Sequence, residues 1–302
     1  MSVLVLVPDT DSARDFVTWG HQFAVARGEP LRVLIPQERT SVVEATRGFL
    51  RELDPHAEIL TLASTESLRS ILTLTRTQSV NLIVASIPRE RNSESKIGAK
   101  LLRNAPCDVV LLRPAQGSGA QCKKILVPTA GGPHAKAALS FASSLATDEA
   151  GVVTALYIAP PELEDPDTSG EVLLERFLKK AELHETPSIL PRVVVADDVM
   201  DGIEQGTRED VDLILIGASN FGFIRRALFS SIPEKLIKQN SPSTVGVFRT
   251  RQQLWVRAQR RLDRILDKYV PQLNRETRIS LYEGLNEGSQ LSLDFVALIS
   301  LS

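Results

Sequence analysis

Cysteine is nearly missing: Cys107 and Cys122 are the two in 302 residues, too few for a disulfide framework in a chain of this size. No apolar run reaches the roughly 18 to 20 residues that span a bilayer. The N-terminus lacks the charged start and cleavage site of a signal peptide, so the cytoplasm is the expected compartment. Charge of one sign is lacking too. Lys and Arg number 35 against 37 Asp and Glu, a net charge of −2, so no global positive field draws nucleic acid and no such partner is expected. Glycine and proline, 17 each, are too sparse for a collagen-like or low-complexity chain, and 43% hydrophobic with 24% charged residues is ordinary globular composition. His21, His56, His134 and His184 are scattered; without an H-E-x-x-H spacing or a paired cysteine they imply neither a zinc site nor a Cys–His nucleophile. A G-x-S-x-G elbow, a Walker lysine loop and a G-x-G-x-x-G fingerprint are all missing from the sequence. No catalytic residue and no metal ligand is assigned, and the chain is not expected to be an enzyme.

What is present is a repeat. Two stretches of about 120 residues spell the same order of elements in the same residue classes. Val3 to Pro8 and Ile125 to Pro128 are short β-branched runs stopped by proline, as expected of strands buried on both faces. Helices follow, with apolar faces made by Phe16, Trp19, Phe23 and Ala24 in one copy and by Ala138, Leu139, Phe141, Ala142 and Leu145 in the other. Second strands are expected at Leu31–Ile35 and Val152–Ile158, third strands at Ile59–Leu62 and Arg192–Val195, fourth strands at Val80–Ser86 and Val211–Gly217, and last strands at Val109–Leu112 and Val245–Phe248. The order β-α-β-α-β-α-β-α-β fits a doubly wound parallel sheet, whose ligands bind at the carboxyl ends of the strands where the strand order reverses. The expected organisation is a first domain over 1–114, a linker over 115–121 containing Gly117 and Gly119, a second domain over 122–250, and a helical tail over 251–302.

The pattern, and above all Gly217-Ala-Ser-Asn220-Phe-Gly222 followed by Ser230-Ser231-Ile-Pro-Glu234, resembles the universal stress protein family. The resemblance covers most of residues 1–250 and implies two tandem α/β domains of the adenine-nucleotide alpha-hydrolase-like type. Nucleotide-binding members carry G-x2-G-x9-G-[ST] after the fourth strand; aligned without gaps, this chain supplies Gly217, Asn220, Ser230 and Ser231. The second and third glycines are thus replaced by residues whose Cβ restricts positive φ and holds the backbone away from a phosphate. The family's first-strand loop offers an aspartate to the nucleotide, whereas Pro128-Thr129-Ala130-Gly131-Gly132 has Ala130 there. In the first copy that loop keeps acids, Asp9 and Asp11, but the stretch after its fourth strand, Ser86 to Ser95, is shorter and has no glycine. The resemblance therefore implies a binding or regulatory module in stress response, with weak or lost nucleotide binding and no firm cofactor. The alternative is an ATP sensor using Thr129, Gly131, Gly217, Asn220, Ser230 and Ser231 of the second domain. Members also commonly pair through their last strands, so an intramolecular pseudo-dimer, or a homodimer, is expected.

Several residues have plainer roles open to them. Ser231-Ile-Pro233-Glu234 reads as a capping box with proline at the first helical position, so Ser231 has helix N–H groups to satisfy. Arg225 and Arg226 fit a solvated face as well as a phosphate, and Glu162, Glu164, Asp165 and Asp167 read as a solvated loop without a regular cation-ligand spacing. Beyond Arg249 the chain leaves the repeat. Leu254, Ala258, Leu262, Ile265, Leu266 and Tyr269 form one helical face before Pro271, and the other carries Arg251, Arg257, Arg260, Arg261, Arg264 and Lys268 against Asp263 and Asp267. Such a basic amphipathic helix docks on protein or on an anionic membrane surface. Leu291 to Ser302 is apolar, interrupted by Asp294, and resembles the lead-in to the first transmembrane helix of a bacterial multi-pass family of unknown function. That likeness implies a second alternative: a cytosolic regulatory region of a membrane protein or transporter, placed at the inner face of the cytoplasmic membrane.

Overall fold

The computed structural model describes residues 1–251 apart from 63–67, 88–92, 116–118, 132, 149, 162–168, 187, 208–210 and 219–242. The tail helix, Leu291–Ser302, the acidic stretch 162–167, Asn220, Arg225, Arg226, Ser230 and Ser231 therefore lie outside the described residues. The chain divides into one compact unit over Met1–Thr250 and a second over Arg251–Ser302.

The first unit is a mixed α/β body. In chain order its elements are β1 (Ser2–Leu6), α1 (Thr10–Arg27), β2 (Leu31–Pro36), α2 (Thr40–Leu53), β3 (Glu58–Leu62), α3 (Leu68–Thr77), β4 (Val80–Ser86), α4 (Ser93–Asn104) and β5 (Asp108–Arg113). The second copy follows with β6 (Lys124–Pro128), α5 (Pro133–Asp148), β7 (Val152–Ala159), α6 (Gly170–Lys180), β8 (Ile189–Val195), α7 (Val199–Gly206), β9 (Leu213–Gly217) and β10 (Thr244–Arg249). They make one ten-stranded sheet in the order β3-β2-β1-β4-β5-β10-β9-β6-β7-β8. Each half has the doubly wound order, with its reversal between β1 and β4 or between β6 and β9.

The expected last-strand pairing is present. β5 and β10 run antiparallel, Arg113 opposite Val245 and Val109 opposite Arg249, with Leu111 opposite Val247 in the middle. A two-fold operation through that central pair exchanges the two ends of the ladder, the arrangement of an isologous interface built within one chain. All other strand pairs are parallel.

Strand side chains alternate between two cores. Val3, Val5, Phe16, Trp19, Phe23, Phe141 and Phe248 belong to one, and Leu4, Ile71, Ile83, Leu101, Ile203 and Ile214 to the other. On the first face the two copies meet through aromatic rings. Phe23 of α1 lies 5.4 Å from Phe141 of α5, and Phe141 stacks at 4.9 Å on Phe248 of β10. Arg27 adds a cation over the Phe141 ring at 5.1 Å and an ion pair to Asp108 at 2.6 Å. Each aromatic pair contributes about 1 kcal/mol beyond its burial. The close approach of α1 to the sheet needs Gly20, where an added Cβ would fall 2.2 Å from a methyl of Val5.

On the opposite face Arg249 is 2% exposed. Its guanidinium donates to the carbonyl oxygens of Ala105 at 2.9 Å and Cys107 at 3.0 Å, and more distantly to Leu101 at 3.4 Å. The Leu101 carbonyl, in the last turn of α4, already accepts from Ala105 N at 3.0 Å, so the main targets of Arg249 are the carbonyls of Ala105 and Cys107, which follow the helix. A charge from the second copy thus fastens the segment between α4 and β5 of the first.

Several element boundaries differ from the sequence reading, among them the end of β1 at Leu6 instead of Pro8 and the start of β9 at Leu213 instead of Val211; two differences have a physical reason. β8 starts at Ile189 instead of Arg192 and runs through Pro191, which pairs with Ala155; β8 is the outermost strand, where a missing N–H costs no ladder bond. The first acid of the β1 loop, Asp9, is the N-cap of α1 and accepts from Ser12 N at 2.8 Å and Ser12 Oγ at 2.7 Å, so the helix begins within what reads as a loop.

Replacing Arg249 by Met keeps the bulk and leaves buried carbonyls without their donor, at a cost of about 2 kcal/mol or more. Thermal unfolding of the full chain is expected to shift down by ~5 °C; an unchanged midpoint would show that the guanidinium adds nothing to the join.

Candidate ligand crevices

The sheet topology puts a crevice at the carboxyl ends of β1 and β4 and another at those of β6 and β9. Because β5 and β10 are antiparallel, the two open at opposite ends of the sheet.

In the second copy, Thr129 and Gly131 follow β6, and Gly217 closes the neighbouring strand β9. Three of the expected contact residues are therefore brought to one sheet end. Their hydrogen bonds, however, point inward. Thr129 N donates to Leu156 O on β7 at 2.8 Å, and Gly131 N donates to Thr129 Oγ1 at 3.1 Å. Gly131 has φ +84, which suits glycine, and a Cβ there would lie 3.7 Å from the Phe177 ring of α6. Ala130, at the position of the expected aspartate, is exposed. Gly217 pairs with Phe248, and Ala218 N donates to Phe248 O at 2.8 Å. The strand end that starts the expected phosphate loop is thus tied to the carboxyl end of β10.

The first copy holds a pocket at the equivalent place. It is lined by Leu6, Val7 and Pro8 from β1 and its loop, Pro36 and Arg39 from the β2 end, Ile71 of α3, Ala85 and Ser86 of β4, and Ile97 and Gly98 of α4. Arg39 Nη1 donates to the carbonyl oxygen of Pro8. Sequence reasoning missed Arg39, because a lone arginine in the polar loop Gln37-Glu38-Arg39 has no spacing that marks it. Asp9, next to Pro8, spends one carboxylate oxygen on capping α1.

Both cysteines are buried, and burial pushes the Cys107 thiol up to about 12, against the opposing pull of the Arg249 charge. Among the described residues no group of three or more His, Cys, Asp or Glu is placed to hold a metal ion. No helix among them is long and apolar enough to cross a membrane.

Comparison with known proteins follows the same lines. Residues 121–249 match the universal stress protein family, so the second copy is a domain of that family. The cytoplasmic domain of a prokaryotic cation chloride cotransporter superposes with a TM-score of 0.58 at 12% identity, covering 83% of this chain and 95% of that one. A universal stress protein from Archaeoglobus fulgidus DSM 4304 superposes with a TM-score of 0.51 at 12% identity, covering 82% and 95%. Both likenesses are of fold, and their coverage of this chain takes in more than one copy of the repeat. No curated protein matches the sequence.

A raised thiol pKa means that the folded state holds the proton which the unfolded state gives up, so Cys107 withdraws stability as pH rises from the ordinary thiol range toward about 12. In the native protein at pH 9, thiol reagents are expected to leave both cysteines unlabelled over minutes, with both reacting once the chain is unfolded. Rapid native labelling would contradict their burial.

Proposed function

We propose that this chain, whose second copy is a universal stress protein domain, is a tandem regulatory module that binds without catalysing and whose hold on nucleotide is weak or lost. The observation that carries this reading is the state of the β6 loop. Its Thr129 and Gly131 N–H groups are engaged inside the protein, and Ala130 presents a methyl group where the family resemblance expects a carboxylate. A phosphate site is made of backbone N–H groups that converge on the ligand, and these two are already used. A regulatory role is supported by β10. Its Phe248 carbonyl receives the N–H at the start of the second copy's phosphate loop, and its Arg249 holds the segment that follows α4, a helix that lines the first copy's pocket.

The competing reading of the same site is an ATP-binding sensor. It uses Gly217, Asn220, Ser230 and Ser231 together with the backbone near Thr129 and Gly131. Calorimetric titration of ATP into the full chain, with Gly217→Val as control, separates the two. The regulatory reading predicts no saturable heat up to about 1 mM ATP; a saturable signal in the micromolar range that disappears in Gly217→Val would establish the sensor.

A second reading concerns where the module works. The likeness to a transporter's cytoplasmic domain, together with the basic amphipathic pattern of 251–269, supports a cytosolic regulatory region of a membrane protein or transporter. On that reading the full chain sediments with phosphatidylserine-containing vesicles at low salt, and Arg260→Glu/Arg261→Glu/Arg264→Glu abolishes the effect. Equal recovery with neutral and anionic vesicles would count against it.

A further inference from the structure

The outer strands of the sheet, β3 and β8, differ in how they can meet another strand. We infer that the free side of β3 is a self-association surface, on which a second copy of this chain pairs antiparallel about Leu60. The last strands, β5 and β10, are used up inside the chain, so further strand pairing falls to these outer edges.

The register fixes which backbone groups point outward, because alternate residues of a parallel pair turn both N–H and C=O to the same side. Gln37 N donates to Leu62 O at 2.7 Å, so Glu58, Leu60 and Leu62 face β2, and Ile59 and Thr61 face outward. Among the described residues nothing bonds the outward groups of Ile59 and Thr61. On β8, Val153 N donates to Ser188 O and Ala196 N to Ala159 O, so Ile189, Pro191, Val193 and Val195 face outward. There the Ile189 N–H is spent on Thr186 O at 3.0 Å, and Pro191 has none. The β8 edge is thus guarded, whereas Glu58–Leu62 contains no proline, lysine or bulge. The flanking helices lie inward of the β3 edge, α2 packing on α1 and α3 on β4.

The partial charges along β3 are their own complement. A two-fold axis at Leu60 sets Ile59 of one copy opposite Thr61 of the other, so each outward N–H meets a C=O. The same register places Leu60, which is half-buried, against its counterpart as an apolar cross-strand contact. Glu58 falls opposite Leu62 instead of another carboxylate, and it already accepts from Arg32 at 2.9 Å. The two Glu58 positions are offset by about 13 Å along the strands, beyond a Debye length of about 8 Å. Pairing β3 with β8 of another copy would instead build an open filament, which the guarded β8 edge opposes. The β3 edge is separate from both crevices, so its test and the ATP titration stand or fall separately.

Sedimentation velocity of the full chain from about 1 μM to about 500 μM is expected to show a reversible monomer–dimer equilibrium without larger species. Thr61→Pro removes an outward N–H and no bond to β2, so it should weaken association about tenfold or more while the unfolding midpoint stays near wild type. Leu60→Cys should give a disulfide-linked dimer under an added oxidant, since directly opposed residues of a non-hydrogen-bonded pair have Cα atoms about 4.5 Å apart. Thr61→Cys, whose counterpart is offset along the strand, should not, and the native cysteines are buried away from the oxidant. If Thr61→Pro fails to fold, the contrast between the two cysteine variants decides alone. The inference is overturned by a chain that stays monomeric throughout, which would leave the edge to a strand of another protein. It is equally overturned by a series of larger species, by a dimer that persists undiminished in Thr61→Pro, or by cross-linking that does not distinguish Leu60→Cys from Thr61→Cys.

Discussion

The antiparallel pairing of β5 with β10 is the constraint on which the rest of this protein depends. Each copy ends in a strand that would otherwise be the open edge of a five-stranded half-sheet, and an open edge invites pairing with another chain. Joining the two edges satisfies both ladders and brings α1 against α5, so that Phe23, Phe141 and Phe248 pack in series. It also carries Arg249 to the segment after α4 of the other copy. A desolvated guanidinium is costly unless its donors are used, and here Nη2 is the nitrogen that bonds the backbone carbonyls of the first copy. The two copies therefore share structure that neither can complete alone.

That join sets the functional geometry. Antiparallel pairing of parallel half-sheets sends the two crevices to opposite ends of the sheet, and their described lining side chains differ. One crevice keeps the glycine at the end of its fourth strand but has turned its first-loop N–H groups inward. The other has, among its described lining residues, mostly apolar side chains and Arg39. Fold and function separate in this way when a duplicated scaffold is retained for its stability while its sites change. The strand β10 touches structural parts of both copies.

Most of the fold was legible in the sequence because buried parallel strands are written as unbroken β-branched runs and because the repeat gives every element twice. Val80–Ser86 could be read to the residue, as its apolar run is bounded by polar groups on both sides. Pro191 obscured the start of β8, since proline argues against a strand until its edge position is known. The role of Arg249 was illegible: a terminal arginine after a strand looks like a return to solvent, and only the pairing of the two copies buries it. The site was legible in part. Sequence located Thr129, Gly131 and Gly217, which the topology gathers at one sheet end, but not the inward direction of the loop's N–H groups, which depends on Leu156 of the neighbouring strand. Arg39 carried no signal, because its meaning comes from the pocket and not from its neighbours in the chain.

The central claim, that the two copies form one cooperative body across β5 and β10, is tested most directly by native-state amide hydrogen exchange on the full chain. The account predicts that Val109 and Leu111 in β5 and Val247 in β10 are among the slowest amides and exchange with the same free energy, that of global unfolding. Exchange of the first copy's β1 and β4 through an opening that leaves β9 and β10 protected, or the reverse, would show two independent domains lying side by side.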